Sequence, residues 1–284
     1  MNKKLPVIAA IPAFNSERTL GPLLEQVLEQ EYDEVIVVDD ASTDNTLELI
    51  HSFRNDVTAI AGKENLGPGG NRNRIMPELG YSAIVHFIDS DVRLNSHASP
   101  EIARELGAAA KLGYVGGLVR NPDGRQNPYN YGPRPSLWKD GSAVAQYALW
   151  GISRFNEAAA KALRAPLAIY LRDWPNFLRE PAPKDEVFWA SEANMVIPAG
   201  VFVNTGGYDP RYRFSEVFDY SIRLSKLGLK RSFDPSLDVS HLTPDTASDK
   251  QAGRTQTAKQ LRAQYGNAQY YFGEGVASTF SGRG

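Results

Sequence analysis

Two aspartates, Asp89 and Asp91, stand one residue apart directly after the apolar run AIVHFI at 83–88. Carboxylates this close repel each other, and one of them tends to hold its proton unless something positive lies between them. Mg²⁺ and Mn²⁺ prefer oxygen ligands and commonly take one or two carboxylates together with phosphate oxygens. The pair therefore indicates either a divalent metal site for a ligand diphosphate or two solvated turn residues.

Three further residues could take part in such chemistry. His241 follows a segment of alternating apolar residues and could add an imidazole ligand that Mn²⁺ accepts, although a lone histidine is more often a surface or capping residue. Glu216 and Asp219 share one face of a helix predicted over 215–228 and could act as a general base and an acceptor anchor. Alternatively, they are acidic residues at a helix start, with Asp219 paired to Arg223.

Candidates for nucleotide binding follow two earlier apolar runs. Asp40 comes after EVIVVD and could accept a hydrogen bond from a base imide, while Phe14 offers a face for stacking. The alternative is that the acidic pair simply precedes a helix. In NLGPGGNRNR at 65–74, glycines could admit phosphate, and Arg72 and Arg74 could bind it. This segment matches no standard phosphate loop and could instead be a flexible turn.

The elements that must position these residues alternate between strand and helix. Continuous apolar runs predict strands at 6–11, 34–39, 57–62 and 83–88, with helices between them, the second capped by Ser42 or Thr43. Such a pattern is typical of a parallel sheet with helices on both faces. Ligands then bind beyond the carboxyl ends of the strands, so the polar clusters that follow three of these strands should converge.

Beyond residue 120 the sequence is less regular. Aromatic, proline-rich segments at 120–140 and 170–190 flank a helix predicted at about 142–164, and Trp138, Trp174 and Trp189 could stack on sugars or pack in a core. A late strand is predicted within 191–200, and an amphipathic helix within the last ~30 residues.

The composition excludes several classes of protein. No cysteine is present, so disulfides and thiolate metal sites are excluded. A net charge of −2 gives no sign of nucleic-acid binding. No apolar run approaches the roughly 18 residues of a membrane-spanning helix. We therefore expect a soluble, cytoplasmic protein, with peripheral membrane contact and a homodimer both left open.

Six segments in order resemble one family. IPAFN, VVDDASTDNT, ENLGPGGNRN, FIDSD, NTGGYDPRYRFSEVFDYSIRLSKLG and DVSH are similar to the motifs of family 2 nucleotide-sugar glycosyltransferases of GT-A fold, over roughly residues 5–242. The resemblance implies a single α/β domain with a mostly parallel, Rossmann-like sheet. A nucleotide-binding part would cover about 1–120, an acceptor-binding part about 121–245, and a C-terminal helical tail about 246–284.

The resemblance also implies roles for individual residues. Asp91 would bind the metal, Asp89 would contact the ribose or the metal, and His241 would complete the metal or diphosphate contacts. Residues implied at the nucleotide are Pro12, Phe14, Asn15, Glu17, Asp40, Arg72, Asp89 and Ser90. Gly206 and Gly207 would lie under the acceptor and donor sugar, where we also place Trp189.

Two positions depart from the family pattern. Val92 replaces the last carboxylate of the usual Asp-x-Asp-Asp, and Val217 replaces the aspartate that usually serves as the base of inverting members. Glu216, or Asp219 by a shift of register, would then take over as base; otherwise the enzyme uses a different base or a retaining mechanism, or has lost activity.

We therefore predict a glycosyltransferase dependent on Mn²⁺ or Mg²⁺ that transfers a sugar, with inversion, from a nucleoside-diphosphate sugar, UDP favoured, to a glycan, lipid-linked or small-molecule acceptor. The alternatives are a retaining or non-catalytic nucleotide-sugar binding protein, or a sugar nucleotidyltransferase. The nucleotidyltransferase would need a glycine-rich loop with a basic residue after the first strand, which IPAFNSE lacks.

Overall fold

A computed structural model describes residues 4–127, 130–132, 134–135, 149, 151–164, 185–242 and 247–272. Trp138 and Trp174 lie outside these ranges, as do most of the segment at 170–190, the first part of the helix predicted at 142–164, and residues 273–284. Residues 151–155 and 157–164 are helical, in agreement with that prediction.

The described strands are β1 Val7–Ala13, β2 Glu34–Asp39, β3 Thr58–Ala61, β4 Ile84–Ile88, β5 Val92–Leu94, β6 Leu112–Arg120, β7 Tyr131–Gly132, β8 Asp185–Glu186, β9 Trp189–Ala190, β10 Asn194–Pro198 and β11 Lys230–His241. The described helices are α1 Leu20–Leu28, α2 Thr46–Ser52, α3 Gly67–Asn73, α4 Ser99–Gly107, α5 Glu157–Arg164, α6 Ala199–Asn204, α7 Glu216–Lys226 and α8 Ala247–Phe272. Gly266 has non-helical backbone angles and divides α8 into two pieces.

One half of the main sheet is parallel, as predicted. The strand order is β3-β2-β1-β4-β10-β6-β11-β5, and β1 pairs in parallel with both β2 and β4. Alternate residues of β1 enter different cores: Ile8 and Ala10 face one cluster, whereas Ala9 and Ile11 face the other. Burial on both faces explains why these strands are continuous apolar runs rather than alternating ones. The four predicted strands and the predicted fold class are confirmed.

The other half of the sheet contains an antiparallel strand. The predicted late strand is β10, which runs antiparallel to both β4 and β6. Strand β6, which the sequence pattern does not predict, is buried along almost its whole length. Its Gly116 and Gly117 leave no room for a side chain, because a Cβ there would collide with Ala190 and Asn194. The glycines that allow this close packing also remove the β-branched signal that marks a strand.

The start of α2 differs from the prediction. The helix begins at Thr46, with Asn45 before it, so the prediction of Ser42 or Thr43 as N-cap is wrong. The reason is local, since Asp44 Oδ1 accepts hydrogen bonds from the N–H and hydroxyl of Thr46 and forms the turn into the helix. Ser42 and Thr43 instead form hydrogen bonds with Asn15, which follows the end of β1.

A buried polar network joins the two halves of the sheet. His86 Nε2 lies 2.8 Å from Asn194 Oδ1, and its Nδ1 lies 2.8 Å from the hydroxyl of Tyr32. Asn194 Nδ2 donates to the backbone carbonyls of Leu118 and Leu237. This asparagine therefore links β4, β6, β10 and the strand β11. Burial lowers the pKa of His86 to about 4, so the ring is neutral at pH 7.

We expect this histidine to make the protein sensitive to mild acid. Between pH 7 and 5 the unfolded chain takes up a proton at His86, with a pKa near 6.5, while the folded protein does not. The free energy of unfolding should therefore fall by about 2 kcal/mol through this group. Urea unfolding at pH 7, 6 and 5 checks this, with His86→Gln as the comparison. An identical pH dependence in the two proteins would contradict the assignment.

No helix in the described part of the chain is both long and apolar enough to cross a bilayer.

Candidate functional site

The polar loops that follow β1, β2 and β4 meet at one edge of the sheet, as the parallel arrangement predicts. They line a cavity of about 1360 Å³, larger than the roughly 300–1,000 Å³ of typical small-molecule pockets. The predicted site residues that line it are Pro12, Phe14, Asn15, Glu17, Asp40, Arg72, Asp89, Ser90, Asp91, Trp189, Glu216 and His241. The cavity therefore brings together most of the residues that the sequence singles out.

The loop after β1 presents an aromatic ring at the mouth of the cavity. Phe14 is 47% exposed, which is unusual for a large apolar side chain. Its polar neighbours are engaged with the next loop: Asn15 Oδ1 accepts from the Thr43 N–H at 2.8 Å, and Glu17 Oε2 accepts from Asn45. Asn15 and Glu17 thus hold two loops together and leave the ring of Phe14 available for stacking.

Asp40 holds the glycine-rich segment in place. Its buried carboxylate accepts hydrogen bonds from the N–H groups of Leu66 and Gly67, at 2.9 and 2.8 Å, and pairs with Arg74 at 2.5 Å. These donors lie at the start of α3, so Asp40 fixes that helix against β2. The carboxylate of Asp40 thus already has three partners, and its contact with a nucleotide base stays a prediction.

Arg72 is a buried cation at the centre of the site. Its side chain is only 4% exposed and lies 2.5 Å from Asp89 and 3.7 Å from Glu216. Burial alone would lower the pKa of Arg72, but the acidic groups around it, led by Asp89, together outweigh burial and raise that pKa, so the guanidinium stays charged. Its Nε has no hydrogen-bond partner within the described ranges. Arg72 also lines the cavity, so its fixed positive charge can act on an anionic group bound there.

Asp89, Asp91 and His241 form the group that the sequence predicts for a metal. Their ligand atoms all lie within 4.8 Å of one another, and His241 Nδ1 is 3.4 Å from Asp91 Oδ1. The pairing of β5 with β11 produces this approach, because His241 lies opposite Val92. Two carboxylates and an imidazole are a donor set that Mn²⁺ accepts. Beside them, the hydroxyl of Ser90 contacts that of Ser16.

The two acids predicted on α7 have different environments. Glu216 lines the cavity, and burial raises its pKa. Asp219 is fully buried and is not among the described lining residues: one oxygen pairs with Arg223 at 2.7 Å, and the other accepts from the hydroxyl of Tyr265 at 2.5 Å. The geometry therefore favours Glu216 over Asp219 for proton transfer, and Asp219 for holding helices together.

Glu192 is a site residue that sequence reasoning misses. It lines the cavity, is partly exposed, and accepts a hydrogen bond of 3.1 Å from the Val217 N–H at the start of α7. Burial and the charge of Glu216 raise its pKa to about 8. The available signal was an acid in SEANMV, directly before an apolar strand. It points to the site only when that strand is known to run antiparallel.

Gly206 and Gly207 are not among the described residues that line the cavity. Both have positive φ and end α6, where Gly207 packs so closely on the side chain of Asn73 that a Cβ would collide with it. The carbonyl of Gly207 also accepts a hydrogen bond from Arg223. The two glycines shape the turn that supports α3 and α7, and a sugar contact by them stays a prediction.

The position of Trp189 is compatible with both interpretations that the sequence leaves open, core packing and stacking on a sugar. Its ring stacks on Phe218 with centroids 5.3 Å apart, and it is 6% exposed, as expected for core packing. It also lines the cavity, beside the start of α7.

Helix α8 covers one side of the cavity. Besides the bond from Tyr265 to Asp219, the hydroxyl of Thr257 donates to the Phe214 carbonyl, and Gln264 accepts from the hydroxyl of Tyr212. The C-terminal helix is thus attached to the segment that leads into α7, and part of α8 lines the cavity.

We expect Tyr265→Phe to loosen α8. The change removes a hydrogen bond to a buried carboxylate, an interaction worth about 1.5–3 kcal/mol. Hydrogen exchange should accelerate in α8 and the free energy of unfolding should fall by a similar amount. Tyr81→Phe, at a tyrosine that is 64% exposed, is the control and should change neither. Equal unfolding free energies for the two variants would contradict the role of Tyr265.

The profile of the family Glycosyl transferase family 2 matches residues 8–165, more than half of the chain. The chain belongs to this family.

Relatives of established function share part of the sequence. Over 254 residues the chain is 25% identical to N-acetylglucosaminyl-diphospho-decaprenol L-rhamnosyltransferase of Mycobacterium tuberculosis, covering 85% of this chain and 76% of that one. Over 100 residues it is 32% identical to poly(ribitol-phosphate) beta-N-acetylglucosaminyltransferase TarS of Staphylococcus aureus, covering 33% of this chain. The match spans only 17% of the length of TarS.

Solved structures share the fold. S. aureus TarS 1–349 in complex with UDP-GlcNAc has a TM-score of 0.55 at 16% identity and covers 91% of this chain and 67% of that one. A mannosyltransferase from Pyrobaculum calidifontis, in complex with GDP-Man and Mn²⁺, has a TM-score of 0.57 at 15% identity, covering 94% and 65%. GalNAc-T7 with UDP, GalNAc and Mn²⁺ has 0.58 at 14%, covering 95% and 51%. The predicted GT-A fold is confirmed.

Proposed function

We propose that this protein is a metal-dependent glycosyltransferase that moves a sugar from a nucleoside-diphosphate sugar, UDP favoured, to an acceptor hydroxyl with inversion. The observation that carries the proposal is the content of one cavity. An exposed ring at Phe14, a metal-ligand group around Asp91, and the buried Arg72 with its carboxylates all line it. Such groups could stack on the nucleobase of the donor, bind its diphosphate with the metal, and take up the proton of the acceptor hydroxyl.

The donor would lie along the carboxyl edge of the sheet. The base would stack on Phe14, and the diphosphate would lie beside Asp91 and His241, with Arg72 within reach. Relatives support a nucleotide-sugar donor: the TarS structure contains UDP-GlcNAc, and the Pyrobaculum enzyme contains GDP-Man. Uracil is the favoured base because Asp40 and Phe14 resemble a uridine pocket.

Asp89, Asp91 and His241 would hold Mn²⁺ or Mg²⁺, and Mn²⁺ is present in two related structures. When bound, the metal supplies Lewis acidity toward the diphosphate leaving group. The chain's own contribution is to arrange the ligands: β5 and β11 set His241 against Asp91, and Arg72 holds Asp89. Arg72 also adds a fixed positive charge where the leaving group develops negative charge.

An acceptor would bind in the cavity beside the start of α7. Its hydroxyl oxygen forms a bond to the anomeric carbon of the donor while the bond from that carbon to the diphosphate breaks and its electron pair leaves with the phosphate oxygen. A carboxylate beside Arg72 takes the hydroxyl proton. The names of the relatives, a decaprenol-linked rhamnosyltransferase and a poly(ribitol-phosphate) transferase, favour a lipid-linked or polymeric glycan acceptor.

Val217 favours a second candidate function. At 2% exposure, its apolar side chain occupies the position of the usual base and cannot accept a proton. A retaining or non-catalytic nucleotide-sugar binding protein would have this property. Binding of a nucleotide sugar by calorimetry, with no product from any acceptor, would support the non-catalytic candidate.

We expect a nucleotide sugar and a metal to stabilise the protein together. In a thermal-shift panel of UDP-, GDP- and dTDP-sugars, at least one donor should raise Tm. Mn²⁺ should increase that rise, because Asp89, Asp91 and His241 would hold the metal and it would supply positive charge for the diphosphate. Asp91→Ala should remove the metal-dependent part, whereas the exposed Asp56→Ala should keep it. If no donor shifts Tm, the proposed function is wrong. An intact metal effect in Asp91→Ala would contradict the metal assignment.

We expect Phe14→Ala to weaken binding of the nucleotide. Stacking of a base on an aromatic ring contributes about 1–3 kcal/mol, so the Kd of UDP in the presence of Mn²⁺ should rise roughly 5- to 150-fold. Phe155→Ala removes a ring that is 95% exposed and is the control. Calorimetric titration of both variants measures the difference. Unchanged affinity in Phe14→Ala would show that the base lies elsewhere.

A further inference from the structure

Three carboxylates lie around the buried cation of Arg72. Asp89 contacts the guanidinium at 2.5 Å and belongs to the metal-ligand group. Glu216 lies 3.7 Å from the same guanidinium, with a side chain only 5% exposed. The charges of Arg72, Asp89 and Glu216 all act on the carboxylate of Glu192. Asp89 is therefore engaged with Arg72 and belongs to the metal-ligand group, and Glu216 is engaged with Arg72 in a buried position.

Glu192 differs from Glu216 in accessibility. It is partly exposed and lines the cavity, whereas Glu216 is buried. The Val217 N–H holds its Oε1, and within the described parts of the chain no hydrogen bond reaches Oε2. A carboxylate that is fixed through one oxygen and open at the other is arranged to accept a proton from a group in the cavity.

The start of α7 explains why this position matters. The N–H of Val217 is one of the donors that the N-terminus of that helix leaves without an intrahelical partner, and it donates to the carboxylate of Glu192, in the turn between β9 and β10. The side chain of Val217 itself is apolar and 2% exposed. Glu192 therefore places a carboxylate beside a residue that offers none.

We infer that Glu192 is the general base of the proposed transfer, and that Glu216 holds Arg72. The inference rests on the proposed function. As the acceptor oxygen bonds to the anomeric carbon, its O–H bond breaks and the proton moves to Glu192 Oε2. The bond between that carbon and the diphosphate breaks, and its electron pair leaves with the diphosphate.

The charged and titratable groups around Glu192 determine how its activity depends on pH. Arg72 faces it from α3, Asp89 from the end of β4, and Glu216 from α7, while the hydroxyls of Tyr114 and Tyr208 are also close enough to interact. Burial and Glu216 raise the pKa of Glu192, and Arg72 opposes them. Because the base must be ionised, kcat and kcat/KM should both rise with pH through neutrality rather than below pH 5.

The test is Glu192→Gln in the full-length chain, with release of nucleoside diphosphate as the assay. The donor is the sugar nucleotide that stabilises the wild type, with Mn²⁺ present and water as the acceptor. The amide oxygen of glutamine can still accept from the Val217 N–H, so the fold and the donor-induced Tm shift should persist. We expect kcat to fall about 100-fold or more and its rise with pH to disappear.

Companion variants separate a base from a structural residue. Glu192→Asp retains a carboxylate and should recover part of kcat and the pH-dependent rise. Glu216→Gln removes a neighbouring charge and should move that rise to lower pH. Glu105→Gln, at an exposed acid of α4, should behave as wild type.

The possible results are distinct. A kcat within threefold of wild type in Glu192→Gln would overturn the inference and leave the proposed function standing. Loss of the donor-induced Tm shift in Glu192→Gln would also overturn it, because the residue would then act in binding. If the pH-dependent rise is lost in Glu216→Gln and kept in Glu192→Gln, the base is Glu216 of α7 and the inference is wrong. If the wild type releases no diphosphate from any donor, both the inference and the proposed function fail.

Discussion

The site depends on one buried positive charge, the guanidinium of Arg72. Removing such a group from water costs several kcal/mol unless oppositely charged groups surround it. Asp89 and Glu216 provide that charge from two different elements, the end of β4 and the start of α7. The need to keep Arg72 paired therefore holds the end of β4 and the start of α7 at a fixed distance across the cavity.

The direction of β10 has an equally large effect on the site. In a fully parallel sheet, only residues that follow strands would reach the carboxyl edge. Because β10 runs antiparallel to β4, the residues that precede it reach the same edge, and the N–H of Asp89 donates to the carbonyl of Ala193. Glu192 is therefore close to Asp89 in space, although about a hundred residues separate the two in sequence.

Much of the parallel half of the fold could be predicted from sequence, because burial on both faces leaves continuous apolar runs. The same logic predicts that the loops around Asp40 and Asp89 converge, and they do. Strand β6 could not be predicted this way, since Gly116 and Gly117 provide space for neighbouring side chains instead of apolar contacts of their own.

The limits within the site have a similar physical origin. The sequence allows Asp219 to form either a catalytic pair with Glu216 or a helix ion pair with Arg223. Only packing shows the ion pair, completed by Tyr265. Glu192 appears in the sequence as a polar residue before a strand. Its role depends on which strand lies beside it and in which direction, and local periodicity contains neither piece of information.

Asp40 and Phe14 differ in how freely evolution can change them. The carboxylate of Asp40 supports Leu66, Gly67 and Arg74, so replacing it to alter base preference would also disturb the helix that carries Arg72. Phe14 is exposed, and any flat side chain could occupy its position without unfolding its neighbours. Divergence in nucleotide preference should therefore start at the ring, with the aspartate retained as a structural inheritance.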